Sequence, residues 1–354
     1  MTKITPEIVQ TQQEKSLESL VATGQLVDLF SRSISYLRVS LTDQCNLRCI
    51  YCTPREIGEK LPCGELLSYE ELLRVIKLAV ELGIRKVRLT GGEPLVRKNV
   101  VSFIRRLAVI PGLDDIRLTT NGVMLAKYAA DLFDAGIRKL NISLDTMQRE
   151  RFARITGADL FDQVWQGINL AQAMGFAPVK INMVALRGIN DDELVDFARL
   201  SLTHALQVRF IEFMPIGDAT IWGEERYIAS EEIKERISVL GELVAVQTAR
   251  LDGPARIYRF RQAEQAKGSV GFISPISHKF CDQCNRLRLT SEGRLRSCLL
   301  SDKETDLKRV LRAGGSDDDV KKALVQTILD KPKGHTLFEK EGFNCHGQMS
   351  RIGG

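Results

Sequence analysis

Three cysteines close together near the start of the chain constrain it more than any other feature. Cys45, Cys49 and Cys52 stand as C-x3-C-x2-C within TDQCNLRCIYC. Grouped thiolates of this kind hold iron–sulfur clusters. A cubic cluster presents four irons and this loop offers three sulfurs, so one iron is left without a protein ligand. An open position separates a reactive metal site from a structural one.

The remaining composition narrows the class. The chain has 354 residues, enough for one large domain or two modest ones, and 44% of them are hydrophobic, which allows a sizeable core. The formal net charge of +5 is too mild to argue for nucleic acid and fits an anionic substrate equally well. Eight cysteines, grouped rather than spread, read as metal binding and not as a disulfide scaffold. Iron-binding thiolates imply a reducing compartment, so the cytoplasm is the expected location. No apolar run reaches membrane-spanning length, and no membrane partner is expected. Residues 1–28 mix Glu, Gln and Lys without an apolar stretch and read as an extension rather than a signal peptide.

From about residue 34 to 215, β-rich segments alternate with amphipathic helical ones. The expected strands are 36–40, 86–89, 115–119, 139–144, 179–185 and 208–213, and the expected helices lie near 68–82, 97–109, 124–135, 162–174 and 191–202. The first helix is the clearest: Ser68-Tyr69-Glu70-Glu71 has capping-box form, Leu72, Ile76, Ala79 and Val80 recur at helical spacing, and Gly83 ends it. Alternation of this kind predicts a parallel sheet with right-handed crossovers. Six units without a seventh and eighth predict an α/β fold, an incomplete (β/α)6 TIM-type barrel, with an irregular α+β region after it. Polar residues cluster in or just after the expected strands: Thr90 to Glu93, Thr119 to Asn121, Ser143 to Asp145, Lys180 with Asn182, and Glu212 to Met214. In parallel α/β barrels that rim carries the active site. The domain reading is an extension at 1–28, the partial barrel at 29–216, a second metal region at 217–330 and a tail at 331–354.

A second cysteine group, Cys281, Cys284 and Cys298, forms C-x2-C-x13-C, again three and not four. Two readings stand. His278 could complete a zinc site of one imidazole and three thiolates. Alternatively the trio holds a second cluster with its own open iron. Arg286, Arg288, Arg294 and Arg296 are interleaved with these thiols. Arg286 and Arg288 are two apart, so on a strand they face one side. Paired guanidiniums suit a polyphosphate, which they bind bidentately.

Taken together, the two incomplete triads, YLRVSLTDQCNLRCIYC, RLTGGEP, LTTNG and the closing Gly353-Gly354 resemble the radical S-adenosylmethionine (SAM) enzymes. Within them they resemble the GTP 3′,8-cyclase family, also called molybdenum cofactor biosynthesis protein A. The likeness runs from about Leu29 to Gly354. The first triad is shared by a vast superfamily, whereas the second triad, its arginines and the terminal glycines are far narrower. The resemblance implies a 4Fe–4S cluster on Cys45, Cys49 and Cys52 that cleaves SAM to a 5′-deoxyadenosyl radical, and a second 4Fe–4S cluster on Cys281, Cys284 and Cys298 whose free iron meets the guanine base. It places Tyr51, Gly92, Glu93, Ser143 and Met214 at SAM. It places Arg38, Arg88, Thr119, Lys180, Arg286, Leu287 and Arg288 at GTP, and brings Gly353 and Gly354 into the active site. Implied partners are GTP, an external electron donor and a downstream cyclic pyranopterin monophosphate synthase, with a homodimer left open. Gln44 and Thr53 stand where many members have Arg and Met.

Two other functions compete. A radical SAM enzyme acting on a peptide usually carries more cysteines in its auxiliary region and a peptide-binding domain ahead of the barrel. An electron carrier or zinc-stabilised binding protein needs complete ligand sets. Without the family, Lys180 reads as an ordinary strand residue, Met214 as core, and Cys63, Cys345, His204, His335 and His346 as lacking a specific role.

Overall fold

The computed structural model describes residues 25–52, 60–217, 221–247, 253–261, 266–335 and 345–353; Thr53 and Gly354 lie outside this set, as does the side chain of Cys63. Six βα units appear where the alternation placed them. The strands are β1 (Tyr36–Ser40), β2 (Lys86–Thr90), β3 (Asp115–Thr120), β4 (Lys139–Ser143), β5 (Val179–Ala185) and β6 (Leu206–Glu212). The helices after them are α1 (Tyr69–Glu81), α2 (Val100–Ala108), α3 (Leu125–Asp134), α4 (Arg149–Thr156), α5 (Phe161–Ala173) and α6 (Leu194–Thr203). The capping box at Ser68 is present in both directions, Ser68 Oγ accepting from Glu71 N and Glu71 Oε2 from Ser68 N. The strand at 36–40 has the expected bounds, β2 and β3 run one residue further, and β4 ends one residue earlier. The sequence reading missed α4, whose RERFARIT lacks a continuous apolar stripe.

The region after residue 216 is less separate than its irregular pattern implies. It forms α7 (Ser230–Ile237), β7 (Leu243–Val246), β8 (Arg256–Phe260), β9 (Ser269–Ile273), β10 (Arg286–Leu289), β11 (Arg294–Arg296), β12 (Glu304–Asp306), α8 (Leu307–Arg312), α9 (Asp317–Leu329) and α10 (Met349–Ile352). Its strands extend both edges of the barrel sheet. The order is β12-β11-β10-β1-β2-β3-β4-β5-β6-β9-β8-β7. β10 pairs parallel with β1, and β9 pairs parallel with β6. The parallel run is thus longer than the six expected strands, and the sheet stays open. We propose the boundary near 216 as one of function, since a single sheet runs through it.

The period-two alternation of side chains decides what lies on each face. Leu37, Val39, Val87, Leu89, Leu118, Leu140, Ile142, Val179, Ile181, Val208 and Phe210 point outward into the helix layer and are completely buried. The opposite, concave face carries Tyr36, Arg38, Arg88, Thr119, Asn141, Ser143, Asn182 and Arg209, all of which line a cavity. Closed TIM barrels fill this volume with branched aliphatics. Here it is polar and cationic.

The alternation also sets one expected site residue apart from the rest. Leu287 lies between Arg286 and Arg288 and therefore faces the other way, fully buried in the apolar core. Leu287→Ala is expected to lower stability by about 2–5 kcal/mol, read from the denaturation midpoint of the apo chain. GTP affinity should stay within about twofold. An unmoved midpoint with weakened GTP binding would instead make it a ligand contact.

Candidate active site: two thiol triads on one cavity

All six grouped cysteines open onto the same cavity of ≈ 320 Å³, within the usual range for small-ligand pockets. Each is a partly exposed free thiol. Among the described residues no three His, Cys, Asp or Glu side chains converge on a single ion. In an iron–sulfur cluster each cysteine binds a different iron, so the thiols need not meet at one point. The zinc reading loses its fourth ligand. His278 is hydrogen-bonded with Ser277 Oγ at 3.0 Å, has Glu231 3.8 Å from its Nε2, and is not part of the cavity wall. Cys345 belongs to neither triad: its thiol is completely buried and donates to the Leu299 carbonyl at 3.2 Å.

The first triad sits in the loop after β1, clamped by the loop after β2. Gly92 N donates to Thr42 O at 2.6 Å, and Glu93 N to Gln44 O at 2.8 Å. The backbones approach so closely that a Cβ on Gly92 would stand 2.3 Å from the Gln44 carbonyl oxygen. Only glycine allows this approach. The clamp uses the backbone of Gln44 and leaves its side chain exposed.

Glu93 is fully buried and is not on the cavity wall. Its carboxylate accepts from Leu95 N, Thr120 Oγ1 and Asn121 N at 3.1, 2.7 and 2.6 Å. Asn121 in turn donates to Asn46 Oδ1 at 2.7 Å and lies 3.6 Å from Cys45 Sγ. Glu93 thus orients the residue that touches the first triad. Burial raises its carboxyl to about 7, against the three donors. Tyr51 donates to Asp145 Oδ2 at 2.6 Å, and burial raises Asp145 to about 6.

The two triads stand in opposite fields. Burial, Cys52 and Asp145 push the Cys49 thiol well above its ordinary value. Burial also raises Cys284, but Arg286 and Lys331 outweigh it and bring that thiol down to about 6.

Between the triads runs a row of arginines set by strand register. Arg296, Arg288, Arg38, Arg88 and Arg117 are successive partners across β11, β10, β1, β2 and β3. The outer two carry carboxylates: Arg296 pairs with Asp302 and Glu304 at 2.9 Å, and Arg117 with Asp115 at 2.6 Å. The middle three line the cavity with Arg286 and Arg209. Burial, then the adjacent Arg288, pushes Arg38 well below the usual guanidinium range. Burial and Arg286 bring Arg288 down to about 10. The Tyr36 phenol records the same field: burial raises it, yet Arg88, Arg38, Arg286 and Arg288 outweigh that and leave it lowered.

Most expected site residues therefore meet on one wall, among them Tyr51, Gly92, Ser143, Met214, Arg38, Arg88, Thr119, Arg286 and Arg288. Lys180 does not reach it. It is buried on the same strand face as Asn182 and Val184, one step deeper. Gly353 docks beside the cavity. Its carbonyl accepts from Arg288 Nη1 at 2.9 Å, and with φ +85 its Cβ position is blocked by Thr90 Cγ2 at 2.6 Å. Sequence reasoning missed Arg209 and His335, both on the wall. Alternation within β6 could have found Arg209. His335 carried no signal, because its segment lacks periodic pattern.

A partial barrel with an open three-cysteine loop at its rim defines a radical SAM protein. Residues 39–201 match the radical SAM superfamily, and residues 206–337 match Molybdenum Cofactor Synthesis C. The fold resembles the crystal structure of Streptococcus suis SuiB bound to S-adenosylmethionine, with TM-score 0.59 at 13% identity, covering 99% of this chain and 84% of that one. The chain belongs to the GTP 3′,8-cyclase family: it is 49% identical over 329 residues to the GTP 3′,8-cyclase of Thermodesulfovibrio yellowstonii, covering 92% of this chain and 99% of that protein. It is 46% identical over 328 residues to that of Pelotomaculum thermopropionicum, covering 92% and 99%. No helix among the described residues is long and apolar enough to cross a membrane.

Gly92→Ala is expected to push the first cysteine loop outward. Iron per chain after anaerobic reconstitution should fall by about half, with the second cluster retained; full iron content would refute the clamp.

Proposed function

We propose that this chain converts GTP to (8S)-3′,8-cyclo-7,8-dihydroguanosine 5′-triphosphate, the first step of molybdenum cofactor biosynthesis. One observation carries the reading. Two open thiol triads share a cavity with a register-fixed row of arginines, so one site can hold a metal-bound group, a second metal-bound group and a polyphosphate together.

Cys45, Cys49 and Cys52 hold the first 4Fe–4S cluster, and Cys281, Cys284 and Cys298 the second. When bound, the first cluster with SAM supplies a hydrogen-abstracting carbon radical, and the second supplies an open iron for the guanine end. Tyr51, Gly92, Ser143 and Met214 carry SAM, while Glu93 positions Asn121 behind it. Arg38, Arg88, Arg286 and Arg288 receive the triphosphate through charge-assisted, bidentate hydrogen bonds. Thr119 stands beside Arg88, which donates to its Oγ1 at 3.3 Å, and Lys180 adds charge from beneath the wall. Fixing the substrate at both ends leaves few ribose hydrogens within reach, so position confers the selectivity that the chemistry lacks. Ile216, Leu300 and Ile352, with Met214, Met349 and Cys298, form a small apolar cluster at the cavity edge that helps to keep water out. Gly353, whose carbonyl accepts from Arg288 beside the wall, is assigned a part in positioning the substrate together with Gly354. An external electron donor and a downstream cyclic pyranopterin monophosphate synthase are the proposed partners.

The deciding assay is anaerobic: reconstituted chain with reductant, SAM and GTP should yield 5′-deoxyadenosine together with a cyclised nucleotide. Deoxyadenosine without GTP consumption would remove GTP as substrate. Arg286→Ala and Arg288→Ala should each weaken GTP binding by about 1–3 kcal/mol with both clusters retained; unchanged affinity would move the triphosphate elsewhere. Deleting Gly353 and Gly354 should abolish cyclisation while iron content holds, and full activity of the shortened chain would reject the tail's role.

A further inference from the structure

Two buried cations outside the catalytic wall converge on the backbone of the second triad. Arg32, ahead of β1, is 7% exposed and ion-paired to Asp28 at 2.5 Å. Its Nη1 donates to the Cys281 carbonyl at 2.8 Å and to the Lys333 carbonyl at 2.9 Å, and its Nη2 donates to the Pro332 carbonyl at 2.6 Å. Lys331, just after α9, is 3% exposed. Its Nζ donates to the Arg286 carbonyl at 2.9 Å and to the Ser297 carbonyl. Arg286 is two residues from Cys284, and Ser297 adjoins Cys298. Each cysteine of the triad therefore has a buried cation on its own carbonyl or on one within two residues, and Arg32 also bonds the segment just after Lys331.

We propose that Arg32 and Lys331 are positioning residues for the second cluster, and that the charge of Lys331 raises that cluster's reduction potential. Cluster potentials follow local charge, hydrogen bonding and burial. Reduction adds a negative charge to the cluster, and a fixed ammonium in a low-dielectric setting favours that state more than water would. This inference rests on the second triad holding a cluster but not on GTP being the substrate.

The test is a potential, not an activity. In the full chain with Cys45, Cys49 and Cys52 replaced by Ala, only the second triad binds iron. Its reduction is followed by electron paramagnetic resonance against a mediator series. Lys331→Met should retain the cluster and shift its reduction equilibrium about tenfold toward the oxidised form, about 59 mV for one electron. Lys331→Arg, which keeps the charge, should stay near the parent value. Arg32→Gln should lower iron occupancy. An unchanged potential in a loaded Lys331→Met chain overturns the proposal, as does an equal downward shift in Lys331→Arg. Should Lys331→Met fail to hold iron, a loaded Lys331→Arg with the parent potential supports the charge assignment, and loss of iron from both variants overturns it. If the parent chain itself binds no iron at the second triad, the two-cluster reading fails and this inference falls with it, whereas an unchanged potential in a loaded variant overturns this inference alone.

Discussion

Like charges in register across neighbouring strands repel, and this protein places five arginines in one such row. The sheet forms nonetheless because its other face buries an uninterrupted apolar layer on the helices, and because the outer arginines are matched by Asp115, Asp302 and Glu304. The three in the middle are left facing the cavity, where burial and mutual repulsion hold Arg38 and Arg288 below their usual range. An incoming polyanion relieves that repulsion. The site is thus organised in advance for negative charge, and the folded chain is stabilised by whatever supplies it.

The metal loops depend on the same sheet in different ways. The first triad is held by backbone, through the glycine approach of the β2 loop and the Glu93–Asn121 relay. The second is held by side chains brought from far along the sequence. Cys284 sits beside the Arg286 guanidinium and the Lys331 ammonium, whereas Cys49 sits beside the Asp145 carboxyl. Two sites with the same number of cysteines therefore differ in their electrostatics, which suits the different tasks assigned to them.

Local features of the fold could be read in the residues. The Ser68 capping box, the apolar stripe of α1 and the β-rich runs gave the six barrel strands and five of the helices to within three residues. The cysteine spacing and the pair Arg286 and Arg288 placed most of the wall. What escaped was long-range or depended on side-chain direction. Nothing near Arg286 says that its strand pairs with β1, because parallel pairing is fixed by partners far away in the chain. Leu287 was drawn into the site by its neighbours, although the pleat turns it to the core. Glu93 and Lys180 are buried behind the wall, a depth that their residue type does not announce. Arg32 and Lys331 carry no motif, and their meaning emerges only where they meet carbonyls of the cysteine loops.

The pairing of β1 with β10 also governs assembly. Asn285 Nδ2 donates to Ser35 Oγ across 250 residues of sequence, and Arg32 must wait equally long for the Cys281 carbonyl. During synthesis the first strand stays an unprotected edge until nearly the whole polypeptide has left the ribosome. Such distant contacts slow folding and leave nascent edges open to aggregation. The early cysteine loop emerges long before its counterpart, so the first triad is complete in sequence more than two hundred residues before the second exists.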